Sequence, residues 1–85
     1  MFQRNLTIIS SYTYSYGEDM NADYKGYSIV AGADHDDTTG LWNGRYRILD
    51  EKGVVVYESF VEPLSDQDQA EGAASVAARA WIDRQ

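Results

Sequence analysis

An alanine stripe that ends in a single tryptophan limits what this chain can fold into. Ala70, Ala73, Ala74, Ala77 and Trp81 recur at helical spacing within residues 64–85, and Val76, Ala78 and Ala80 widen the stripe. Glu71, Gly72, Ser75, Arg79 and Asp83 fall on the other side. Ser65 is the expected N-cap, and Asp68 three residues on completes a capping box. Asp66, Asp68 and Glu71 in the first turns and Arg79 and Arg84 near the end suit the helix dipole. Side chains this small let a helix lie close to a sheet, with Trp81 expected to close the far end of the core. The rest of the chain therefore has to supply the sheet.

It does so with three strand patterns. Residues 24–33 read as one strand, with Tyr27, Ile29 and Ala31 on one face and Ser28 and Val30 on the other. A polar loop, residues 34–40, follows. Residues 41–49 alternate clearly: Trp42, Gly44, Tyr46 and Ile48 against Asn43, Arg45, Arg47 and Leu49. Asp50-Glu-Lys-Gly53 reads as a hairpin turn with glycine where a positive φ is wanted. Residues 54–61 form the third strand, with Val56 and Phe60 expected inward and Val55, Tyr57 and Ser59 outward. Pro63 ends it. The predicted fold class is α+β: a three-stranded antiparallel meander covered on one face by the C-terminal helix. A fourth strand is left open, because Tyr12, Tyr14 and Tyr16 alternate with Thr13 and Ser15. Residues 1–23 are thus read as a leader, either disordered or an extra edge strand over residues 5–16, and residues 24–85 as the βββα domain. Residues 17–23 are polar and show no period.

At 85 residues the chain makes one small domain, with a stability margin of roughly 3–5 kcal/mol if it stands alone. It has no cysteine, which removes disulfides, thiol chemistry and cysteine-ligated metal. No apolar run approaches the ~20 residues of a membrane span, and the N-terminal apolar stretch is too short and too polar for a signal peptide. The expectation is a cytoplasmic protein with no membrane partner. The net charge of −7 counts against phosphate-backbone binding, which draws on Lys and Arg.

Taken together, Tyr24-Lys-Gly-Tyr27, Gly40-Leu-Trp42, Tyr46-Arg-Ile48 and Trp81-Ile-Asp83 resemble a group of small proteobacterial proteins of unknown function. Those proteins share a Tyr-Lys/Arg-Gly-Tyr start, a Gly-x-Trp strand, an alanine-rich helix and a closing Trp-Ile-Asp. The resemblance covers about two thirds of the chain and implies a three-stranded sheet with one helix, but no activity. The element order is also similar to ethylene-response-type DNA-binding domains and to the arm-binding domains of phage integrases. Those are strongly basic, and this chain is acidic, so the likeness is one of fold alone.

Two clusters bear on chemistry. Asp34, His35, Asp36 and Asp37 carry ligand-type groups, but no glycine stands at the sixth position of an EF-hand loop and Arg45 occupies the twelfth. A solvated acidic loop is expected, with no metal. His35 is the only histidine, and no Gly-x-Ser-x-Gly elbow accompanies it. The glycines form no phosphate cradle, and Asp50 and Glu51 sit in a turn. No catalytic residue and no cofactor is expected. The face carrying Val30, Asn43, Arg45, Arg47, Leu49, Val55, Tyr57 and Val61 mixes Arg and Tyr with aliphatics, the composition of a protein contact. The expected function is a small non-enzymatic protein-interaction module, binding itself or another protein. The alternative is nucleic-acid binding through Arg45 and Arg47.

Overall fold

The computed structural model of this chain describes residues 20–85. The structure is a four-stranded antiparallel meander, β1 (Met20–Tyr24), β2 (Tyr27–Asp36), β3 (Leu41–Leu49) and β4 (Val55–Phe60), followed by one helix, α1 (Gln67–Asp83). The strands lie in chain order, so β2 and β3 are central. The helix lies across these two.

The possible edge strand over residues 5–16 lies outside the described residues. The fourth strand among the described residues is Met20–Tyr24, paired with β2 from Met20 opposite Ala31 to Tyr24 opposite Tyr27. The expected single strand over residues 24–33 is therefore broken at Lys25-Gly26. Both residues have positive φ, 51° and 87°, the backbone of a two-residue hairpin turn that follows the natural twist of its strands. Glycine takes this conformation freely. Lys25 does not, and its ammonium is tied to Asp83 of the helix at 2.7 Å.

At the turn between β3 and β4, the Asp50 side chain accepts bonds from the Lys52 and Val54 N–H groups at 2.8 and 3.0 Å. Gly53 supplies the positive φ of 81°. The register then shifts between Ile48 and Leu49: Ile48 faces Tyr57 and Leu49 faces Val55, leaving Val56 as the extra residue of a β-bulge.

The core lies between sheet and helix. Ile29, Ala31, Tyr46 and Ile48 meet Ala74, Ala78 and Ile82. Ile29 and Ile48 are fully buried, each contributing about 1.5–3 kcal/mol by transfer from water. Burial also raises the Tyr46 phenol above its ordinary pKa. Ala70, Ala74, Ala78 and Ile82 form an every-fourth-residue ridge, narrower than the predicted stripe. Val76 and Ala80 face solvent. Trp81 is half-buried at the margin, stacked on Tyr57 at 5.0 Å and edge-on to Tyr27 at 6.2 Å. Gly44 explains the closeness of the layers, because a Cβ placed there would stand 2.3 Å from the Ala70 carbonyl oxygen. The helix cap is Asp66, not Ser65: its carboxylate accepts from the Gln69 N–H at 2.9 Å.

Candidate functional site

Alternation along each strand sends every second side chain to the sheet face opposite the helix. Cross-strand register sorts that face into rows. Asp23, Ser28, Leu49 and Val55 form one row; Asn21, Val30, Arg47 and Glu58 the next; then Gly32, Arg45 and Phe60, with Asp34 and Asn43 beyond. Of the predicted contact residues, Asn43, Arg45, Arg47 and Leu49 belong to this face, with Val55 joining it across the bulge.

Tyr57 does not belong to it. It pairs with Ile48 and stacks on Trp81, on the helix side. The expected parity of β4 is inverted from Tyr57 onward: Tyr57 and Ser59 turn toward the helix, while Phe60 is 69% exposed; Val55, before the bulge, keeps its outward place, and Val56 is exposed. Val61 also packs against the core. In Val-Val-Val-Tyr-Glu-Ser-Phe-Val, residues 54–61, apolar groups occupy both parities, so period alone does not decide. The decision falls to Trp81, which offers a flat ring to Tyr57 and nothing comparable to Phe60.

The charges of the outer face are paired. The Arg45 guanidinium donates to Asp34 at 2.8 Å, and Arg47 donates to Glu58 at 3.2 Å, directly across the β3–β4 pair. Both pairs are solvent-exposed, so each adds little stability. Their effect is to neutralise two guanidiniums within the face. Asp23, Asp34, Asp36 and Glu58 set four carboxylates against those two cations.

The acidic cluster is dispersed by the strand that runs into it. β2 extends through Asp36, so only residues 37–40 form the loop. Asp34 is held by Arg45, Asp36 accepts from the Thr38 N–H at 2.9 Å, and Asp37 meets His35 Nδ1 at 2.9 Å. His35 itself points to the helix side and lies against Trp42, ring centroids 4.9 Å apart. Among the described residues no His, Cys, Asp and Glu side chains converge as a metal set.

At the opposite end, the Tyr24 hydroxyl and the Lys25 ammonium both donate to Asp83, at 2.9 and 2.7 Å. These bonds, Lys25 first, hold the Asp83 carboxyl below its ordinary 3.8; the same bond raises Lys25. The knot ties the first hairpin turn to the last turn of the helix. A shallow hollow beside it is lined by Lys25, Gly26, Tyr27, Asp50, Glu51 and Lys52, two cations and two carboxylates facing open solvent.

Among the described residues no helix is long and apolar enough to cross a membrane. No family model, curated protein or solved structure matches this chain.

Proposed function

We propose that this protein is a small, non-enzymatic interaction module that binds a protein partner through the open face of its sheet, at the β3–β4 side. The observation that carries the reading is the side-chain set displayed there. Phe60 and Val55 are exposed beside Leu49 and the Arg47–Glu58 pair. An aromatic ring and aliphatic groups around a satisfied arginine match the centre of protein contacts. No second layer lies over this face among the described residues.

Nucleic-acid binding through Arg45 and Arg47 has less support. Each guanidinium already has a carboxylate, and the face carries more acid than base.

The test is affinity capture from a nuclease-treated host lysate with the parent protein and with Phe60→Lys, whose site is exposed enough to leave the fold intact. A partner enriched by the parent and lost with Phe60→Lys is then titrated at low and high salt. The reading predicts a protein whose affinity changes little with salt. Capture of nucleic acid instead, with affinity falling steeply as salt rises, would overturn it.

A further inference from the structure

We propose that the edge of β4, uncovered among the described residues, pairs with β4 of a second copy of this chain, antiparallel about a two-fold axis, joining the two sheets into one. The proposal rests on the interaction-module reading and names the partner.

Backbone bonds alternate in direction along an antiparallel pair. The Val61 N–H donates to the Gly44 carbonyl at 2.9 Å, and Ser59 and Tyr57 follow in step opposite Tyr46 and Ile48. The N–H and C=O groups of the residues between them, Glu58 and Phe60, therefore point away from β3. Among the described residues no strand lies on that side. An edge of this kind is a template for another strand.

The two edges of the sheet differ. β1 carries Asn21 and Asp23. β4 carries one charge, Glu58, which Arg47 already neutralises. For an acidic chain of net charge −7, β4 is thus a place where two copies can approach with little local repulsion.

Charge also narrows the register. Centring the pair on Glu58 would set two carboxylates directly opposite, which is destabilising. Centring it on Ser59 sets Glu58 opposite Phe60 of the second copy, and Tyr57 opposite its Val61. Pro63 then falls in a non-bonded position opposite Val55, where a missing N–H is not felt. One strand pair covers less than the ~1,200 Å² of a stable interface. The dimer is accordingly weak and depends on concentration.

Sedimentation equilibrium of the full chain from micromolar to millimolar concentration tests this, with Glu58→Pro and Phe60→Glu alongside. Proline at 58 removes an outward donor and leaves the backbone bonds to β3 in place. Glutamate at 60 sets a like charge opposite Glu58 of the second copy. The parent mass should climb toward that of a dimer while both variants stay monomeric. Should Glu58→Pro fail to fold, as read by circular dichroism, Phe60→Glu decides. A parent that stays monomeric throughout overturns the proposal, and so does a dimer unchanged in folded Phe60→Glu. If a monomeric parent still binds another protein through the sheet face, only the second-copy assignment has failed; if it binds nothing, both readings have.

Discussion

Gly44→Ala is the smallest change that presses on the whole architecture. The added Cβ would stand 2.3 Å from the Ala70 carbonyl oxygen and 2.7 Å from a Val61 methyl carbon. Ordinary contact begins near 3.4 Å, so the helix must withdraw by about 1 Å. A methyl group can rotate aside, but Ala70 O belongs to the helix backbone and carries the ridge of Ala74 and Ala78 with it. Overpacking of this kind costs about 1–3 kcal/mol, and a rigid obstacle places this case at the upper end. In a domain of this size each kcal/mol moves Tm by roughly 4–8 °C. Gly44→Ala should therefore lower the melting temperature by about 10–20 °C, followed by far-ultraviolet circular dichroism. Gly53→Ala is the control. Its added Cβ meets nothing within 4 Å, and its penalty is the φ of 81° alone, about 1 kcal/mol. A Gly44→Ala protein that melts within a few degrees of the parent, or above Gly53→Ala, would refute the claim that Gly44 sets the distance between sheet and helix.

The cap assignment predicts that Asp66→Ala loses about 1 kcal/mol, while Ser65→Ala stays within about 0.5 kcal/mol; denaturant midpoints of the pair decide between them. Trp81→Ala should lose about 2–4 kcal/mol, because the ring touches Tyr57 and Tyr27 but is only half-buried; a parent-like midpoint would remove it from the core. For Asp83, whose folded pKa is depressed, the bonds to Lys25 and Tyr24 stabilise the fold above the ordinary carboxylate value, and that gain disappears as pH falls through the lower folded value. Asp83→Asn should therefore melt slightly below the parent at neutral pH, with the two curves converging once the pH has fallen below the depressed folded value. A gap that persists in acid would assign the effect to something other than this carboxylate.

The helix and the central strands were legible because one period dominated each. Trp42, Gly44, Tyr46 and Ile48 leave no doubt about which side of β3 is inward, and the alanine spacing admits only a helix. Two features were not legible. The Lys25-Gly26 turn lacks the Asn-Gly or Asp-Gly signature, and the Lys25 conformation is held by Asp83, distant in sequence but adjacent in the fold. β4 carries apolar residues at both parities, so its facing depends on the Trp81 ring and on the bulge at Val56. Four of the six proposed contact residues share the outer face, Val55 joins them across the bulge, and Tyr57 lies on the helix side for the same reason. Phe60, the most exposed large apolar side chain among the described residues, was assigned to the core because its spacing from Val56 looked inward.

Amide exchange along β4, read residue by residue by NMR at low and high protein concentration, tests the central claim most directly. At low concentration Tyr57, Ser59 and Val61 should exchange slowly, bonded to β3, while Glu58 and Phe60 exchange fast at the open edge. Raising the concentration should slow Glu58 and Phe60 and leave their neighbours unchanged. Protection of Glu58 and Phe60 at the lowest concentration would show the edge already covered within one chain. Exchange that stays fast at the highest concentration would show that no second copy docks there.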